Sequence, residues 1–182
     1  MLATVSEAEP LVEHWRQRFD ASAAVGVPAH VTVLFPFLHV DLISAAVLGD
    51  LTTLIAGHDP FAVRFDECGR FPDVLYLAPT PDQPFRALTE SIAARWPDAP
   101  PYGGQFAEVI PHLTVAHGQP PRVFDEVEVA LASRLPATAT ISSVSLFVSD
   151  GQCWRHHAEF PMLGASSNTS PRHPGSESIH NS

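Results

Sequence analysis

The sequence predicts an α+β fold of two pseudo-symmetric lobes, each an antiparallel sheet with helices outside it, with a cleft between them. Two short stretches and the order of elements around them lead there. PAHVTVLFPF at 28–37 and IPHLTVAHG at 110–118 each carry His-x-Thr-x with apolar x residues, as His30-Val31-Thr32-Val33 and His112-Leu113-Thr114-Val115. Pro28 or Pro111 sits just ahead of each motif. Chance placement in this composition gives about a tenth of one such motif, so two of them mark a repeated unit. In an extended strand alternate side chains share a face, so each His stands beside its Thr while the valines and Leu113 face the core.

The elements follow from periodicity. Leu2 to Val5 reads as a short strand, and Pro10 to Phe19 as a helix with Leu11, Val12, Trp15 and Phe19 on one stripe. A loop through Gly26 and Pro28 delivers the first His-x-Thr strand. Asp41 is expected to cap a second helix, in which Leu42, Ala45, Leu48, Leu51, Leu54 and Ile55 keep helical spacing until Gly57. Phe61, Val63 and Phe65 alternate as a strand, and after a turn near Pro72-Asp73 the run VLYLA is another.

The second half repeats this order. Phe85, Leu88, Ile92 and Trp96 mark a helix, and the loop PDAPPYGGQF leads to the second His-x-Thr strand. Val123, Val127, Ala130 and Leu131 mark the next helix. Strands over Ala139 to Val148 and Cys153 to Phe160 then flank an Asp150-Gly151 turn. A duplicated unit sets equivalent surfaces face to face, which brings both His/Thr pairs into one cleft. Antiparallel hairpins with helices segregated outside them are the α+β arrangement. Residues 1–163 form one domain. From 164 to 182 the composition turns to small and polar residues that cannot offset their ordering entropy, so this stretch is expected to be a disordered tail, with His173 and His180 exposed in it.

Composition narrows the function. At 182 residues and 45% hydrophobic the chain can bury a sizeable core. Its ten basic residues, all arginine, face twenty acidic ones for a formal charge of -10, which excludes an extended duplex nucleic acid as partner while leaving a small nucleotide or an RNA end. Cys68 and Cys153 lack CxxC spacing and read as reduced core thiols. The N-terminal stretch has no basic region followed by an apolar one, and no run of eighteen apolar residues occurs, so a cytoplasmic monomer without membrane association is expected.

Two imidazoles near neutrality can take and give a proton in one step, and two hydroxyls can hold the non-bridging oxygens of a phosphate. That is the equipment for phosphodiester cleavage without a metal or other cofactor, with a bell-shaped pH dependence around neutrality. Two alternatives use the same residues: a non-catalytic nucleotide or RNA-end binding module, and a metal-dependent hydrolase with His30 and His112 as ligands. The metal reading lacks carboxylate partners, and His156-His157 has no ligand spacing to any other group.

Over residues 1 to about 163, both motifs and the repeated order resemble the two-histidine phosphoesterases, which include 2'-5' RNA ligases and 2',3'-cyclic nucleotide phosphodiesterases. The resemblance implies His30 and His112 as the catalytic pair, and Thr32 and Thr114 as the phosphate-binding hydroxyls. It implies His30 as acid and His112 as base, although the residues themselves leave the order open. Many RNA ligase-like members carry arginine at the position of His117, and a neutral imidazole there supplies less charge for ligation. Tyr102, with Phe35 or Phe37, is a candidate for stacking a base, the phenylalanines being otherwise core residues.

Overall fold

Two four-stranded antiparallel sheets carry the chain's apolar alternation, and the segments between their strands decide how the halves combine. The computed structural model describes residues 1–106 and 108–164. The expected tail lies outside these residues except for Gly164. In chain order the elements are β1 (Leu2–Thr4), α1 (Glu9–Phe19), α2 (Ala21–Ala24), β2 (His30–Thr32), α3 (Ala45–Ala56), β3 (Phe61–Phe71) and β4 (Val74–Thr80). They continue as α4 (Gln83–Arg95), β5 (Leu113–His117), α5 (Pro121–Ala132), β6 (Ala137–Ile141), β7 (Ser143–Ser149) and β8 (Trp154–Pro161).

Helices α1, α4 and α5 begin as their sequences require, with proline in the first turn. Of the expected stripes Leu11, Val12, Phe85, Leu88, Ile92, Val127 and Leu131 are buried, and Trp15, Phe19, Trp96 and Val123 pack half-buried against the core; in α5, however, Ala130 is exposed and Phe124 is buried instead. The cap of α3 differs from expectation. Asp41 lies in a 3-10 turn over Val40–Leu42, and Ser44 caps instead, its Oγ accepting from the Val47 N–H at 3.3 Å. Ser44 holds the extended φ/ψ that an N-cap needs, so the helix starts three residues later and leaves Leu42 exposed.

The sheets do not follow the halves of the sequence. One runs β2-β1-β7-β8 and the other β5-β4-β3-β6. The first half's closing hairpin, β3 and β4, supplies the partner of the second His-x-Thr strand, while β7, from the end of the chain, pairs with β1. The single strand expected over Ala139 to Val148 is two strands broken at Ser142. Residues before the break join β3, and those after it join β1 and β8. Period-2 alternation shows an extended chain but is silent about which neighbour each part pairs with. Antiparallel sheets with helices outside them agree with the expected α+β class.

In both sheets the His-x-Thr strand is at an edge, and residues of β2 and β5 approach within 8 Å, Cα to Cα, without sharing a ladder. Val31, Val33, Leu113 and Val115 are all buried in one core cluster. The halves are tied across this junction. Helix α1 packs within 8 Å of β5. Reciprocally, buried Thr89 of α4 donates its hydroxyl to the Val33 carbonyl, 2.6 Å away, just past the end of β2. An edge strand has no neighbour for such a carbonyl, and Thr89 supplies the missing donor. Thr89→Val keeps the shape and removes the bond, leaving a buried acceptor unpaired. We expect it to lower stability by about 1–3 kcal/mol in urea unfolding; an unchanged midpoint would show that this tie contributes nothing.

Candidate active site

His30 and Thr32 are half-buried on the open face of β2, on either side of fully buried Val31. His112 immediately precedes β5, and Thr114 takes the half-buried position between Leu113 and Val115. Because the two strands lie edge to edge with their apolar faces in one core, both His/Thr pairs open on the side away from that core. A further device is duplicated. His30 Nδ1 lies 2.7 Å from the Pro28 carbonyl, and His112 Nδ1 lies 2.8 Å from the Ile110 carbonyl. A carbonyl only accepts, so each Nδ1 carries the hydrogen and each neutral Nε2 presents a lone pair.

The two imidazoles are held in different surroundings. Burial pushes the His30 pKa down to about 4, with Arg16 adding to the shift and the Pro28 bond opposing it. Arg16 is itself buried under the loop that delivers His30, donating to Asp20 Oδ2 at 3.0 Å, Ser22 Oγ at 3.2 Å and the Val27 carbonyl at 3.1 Å. Burial also lowers the His112 pKa, against the Ile110 bond. The His112 ring stands edge-on to Phe71 and Tyr76, with centroids 5.2 and 5.4 Å away. Tyr76 is directly opposite Thr114, and a Cβ at Gly69 would overlap its ring, so the absent side chain makes room for Tyr76.

Tyr102 reaches the first pair from the Pro/Gly-rich loop. Its φ of 51° is a left-handed conformation costly for a bulky residue, and Gly103 and Gly104 continue the turn with φ of 64° and 75°. The Tyr102 N–H donates to the Phe35 carbonyl at 2.6 Å, and its phenol, whose pKa burial raises, lies toward the Thr32 side chain, which opposes that shift. This candidate for stacking therefore meets the site through its hydroxyl, with its ring edge-on to Phe106.

Phe37 packs edge-on against Trp96 beside the core, as expected, but Phe35 is 46% exposed and stands against Trp154. Cys68 is half-buried, its thiol pushed up to about 11 mainly by burial, whereas Cys153 is exposed at the β7–β8 turn instead of in the core. His117 is exposed, with Nε2 3.4 Å from Asp73 Oδ2. An irregularity in the β4–β5 register leaves consecutive Val115 and Ala116 buried and returns His117 to the open side shared by Thr114. His156 and His157 are exposed on β8, and among the described residues no group of three His, Cys, Asp or Glu is placed to hold a metal. No helix among those residues is long and apolar enough to cross a membrane.

Sequence reasoning missed Tyr76 and Trp154. Tyr76 left a faint signal, an aromatic on the open face between Leu75 and Leu77. A histidine NMR titration should show His30 neutral down to about pH 4 and His112 titrating below 6.5, both with hydrogen on Nδ1. Depressed folded values mean that the stability these groups contribute is present above the ordinary pKa of about 6.5 and is lost as pH falls toward the folded values. Ordinary titration at both sites would contradict the desolvation described above.

Comparison with known proteins agrees with this architecture. The profile of the 2'-5' RNA ligase superfamily matches residues 4–152. A protein of Bacillus pumilus, a phosphoesterase by name, is 28% identical over 111 residues, covering 59% of this chain. The chain spans 62% of that relative's length. Among solved structures, TT0787 of Thermus thermophilus superposes with a TM-score of 0.54 at 19% identity over 88% of this chain and 96% of its own. Escherichia coli LigT, complexed with 3'-AMP, gives 0.52 at 15% identity over 88% and 94%. At these identities the structures speak for the fold, and the profile, spanning both His-x-Thr strands, speaks for descent: the chain belongs to the 2'-5' RNA ligase superfamily.

Proposed function

We propose that this protein is a metal-independent phosphodiesterase acting on a 2',3'-cyclic phosphate or a 2'-5' linkage of a nucleotide or RNA end. His30 and His112 form the acid–base pair, and Thr32 and Thr114 hold the phosphate. The observation that carries the proposal is the duplicated Nδ1–carbonyl bond on adjoining edge strands, which fixes the tautomer of both imidazoles with Nε2 free. A binding module has no need of two proton carriers set in this way. The complex of LigT with 3'-AMP supports a nucleotide phosphate as the class of molecule handled.

In cyclic-phosphate opening, one neutral Nε2 removes a proton from water as the oxygen attacks phosphorus. The opposite bond, from phosphorus to a ribose oxygen, breaks, and the Nε2–H of the other imidazolium protonates that oxygen. A phosphate monoester leaves, and the two imidazoles have exchanged protonation states. The threonine hydroxyls donate to the non-bridging oxygens as charge builds on them.

The pH dependence follows from burial. Both free-enzyme pKa values lie below the ordinary histidine value, so the fraction with one imidazole neutral and one charged peaks between them. The kcat/KM maximum is therefore expected on the acid side of about pH 6.5 instead of around neutrality. The kcat profile should lie higher, because a bound phosphate anion favours imidazolium. A kcat/KM maximum above pH 7 would contradict this.

His30→Ala and His112→Ala should each lower kcat by about a hundredfold or more, with the double variant losing much less than the product of the two. Thr32→Ala or Thr114→Ala should cost about 1–3 kcal/mol in kcat/KM, as for loss of one bond to a charged group. Turnover should persist in excess EDTA; activity lost there and restored only by a divalent ion would favour the metal-dependent alternative. Wild-type rates of cyclic phosphate hydrolysis in both single histidine variants would end the two-histidine mechanism.

A further inference from the structure

Of the two imidazoles, only His30 has its partner carbonyl held from behind. The Pro28 carbonyl that takes the His30 Nδ1 hydrogen, at 2.7 Å, belongs to the same peptide as the Ala29 N–H, and that N–H donates to Glu9 Oε2 at 2.6 Å. The Pro28–Ala29 peptide is trans, so its C=O and N–H point in opposite directions within one plane. Glu9, at the start of α1, and the His30 ring therefore grip this plane from its two sides. Rotating the plane would break both bonds at once. The groups on either side are fixed as well. The Val27 carbonyl accepts from Arg16 Nη2 at 3.1 Å, the Val27 N–H donates to the Ser22 carbonyl at 3.1 Å, and the Ala29 carbonyl accepts from the Val5 N–H at 2.9 Å. Arg16 Nη1, buried without a hydrogen bond, lies 3.9 Å from Glu9 Oε1, so it attracts the carboxylate without competing for the oxygen that Ala29 uses.

The second motif has no counterpart. Its carbonyl belongs to Ile110, whose peptide continues into Pro111, and proline has no N–H for a carboxylate to grip. The two Nδ1 bonds look alike and differ one step further out. A hydrogen bond at a peptide N–H polarises the carbonyl of the same peptide, bonds in a chain strengthen one another, and an ionised acceptor at the far end adds most. A stronger acceptor at Nδ1 holds the tautomer with Nε2 free and favours the imidazolium. Among the described residues, the charges that act on His30 through space are Arg16, Asp20 and the Met1 amino group. Glu9 is not one of them, so its influence on the ring runs through the peptide.

We propose that Glu9 is a positioning residue for His30, acting through the Pro28–Ala29 peptide: the carboxylate orients and polarises the carbonyl that fixes the imidazole. Its consequence for catalysis rests on the phosphodiesterase reading, in which a rigidly aimed Nε2 takes or gives the proton. A carboxylate that merely satisfied the buried Ala29 N–H would stabilise the chain and leave the imidazole untouched.

The test compares Glu9→Gln, which keeps an oxygen for the Ala29 N–H and removes the charge, with Glu9→Ala, which removes both. In a histidine NMR titration Glu9→Gln should lower the His30 midpoint by about 0.1–0.6 pH units, the size of a 10–30% weakening of a hydrogen bond to a charged group, and leave His112 unchanged. Glu9→Ala should let part of the Nδ1 hydrogen move to Nε2 at His30 alone. With a 2',3'-cyclic nucleotide, Glu9→Ala should lower kcat by about 10- to 100-fold with little change in KM. Glu9→Gln should recover all but about fivefold of that loss. It leaves no buried donor unpaired, so it carries the test if Glu9→Ala does not fold. A lower urea midpoint in Glu9→Ala, with His30 titration, tautomer and kcat all as in the wild type, would reduce Glu9 to a structural acceptor and overturn the proposal. Equal shifts at both histidines would overturn it too, since only one peptide is gripped. The NMR readouts need no turnover. If the wild type opens no cyclic phosphate, a change confined to His30 upholds the positioning role while the phosphodiesterase reading falls, and an unmoved His30 sinks the positioning role whatever the activity.

Discussion

The arrangement rests on one constraint: two edge strands bury alternate residues in the same core. Val31, Val33, Leu113 and Val115 each remove their apolar surface from water there, contributing about 1.5–3 kcal/mol apiece. With the odd-numbered positions so placed, His30, Thr32, His112 and Thr114 must face the other way. A one-residue slip in either strand would exchange hydroxyl and imidazole for valine or leucine, exposing apolar surface as it dismantled the site. The packing that stabilises the fold and the geometry that aligns the site are therefore the same interactions.

Electrostatics at the site work by subtraction. The arginines near the first pair are occupied, Arg16 by a buried carboxylate and carbonyl and Arg155 by Asp150, while burial strips charge from both imidazoles. An empty site of this kind is close to neutral in a protein of formal charge -10. If the proposed function holds, an arriving phosphate supplies the negative charge that makes imidazolium favourable. On that reading protonation and substrate binding are thermodynamically coupled, and each promotes the other.

Much of this was legible in the sequence because it is local. Strand alternation in the two motifs, the proline-started helices and the apolar stripes of α1 and α4 depend on neighbours within a few residues, and the structure places them as read; in α5 Phe124 is buried where Ala130 was expected. What the sequence hid was the choice of partners. Nothing around Ser142 tells that the strand before it and the strand after it enter different sheets. Ser44 and Asp41 are both acceptable caps, and only the turn geometry at 40–42 selects between them. Arg16 sits on the stripe side of a helix with the stem to be buried and the head to be paired, yet its partners Asp20, Ser22 and Val27 are set by how the following loop folds back. Trp154 meets Phe35 from more than a hundred residues away, beyond any periodicity. The site was thus readable where a single strand carries it and unreadable where distant segments close around it.

The exchange of strands between the two sheets also bears on how such a protein can arise. A chain of half this length, with one His-x-Thr strand and its following crossover strand, would lack the partner on which each sheet depends. It could complete both sheets only by trading strands with a second copy, as β7 here pairs with β1 and β4 with β5. The two-imidazole site would then exist only in the dimer. Fusion of two such units in tandem would convert a concentration-dependent assembly into an intramolecular one, after which each half is free to diverge: burial and Arg16 surround one imidazole here, Phe71 and Tyr76 the other.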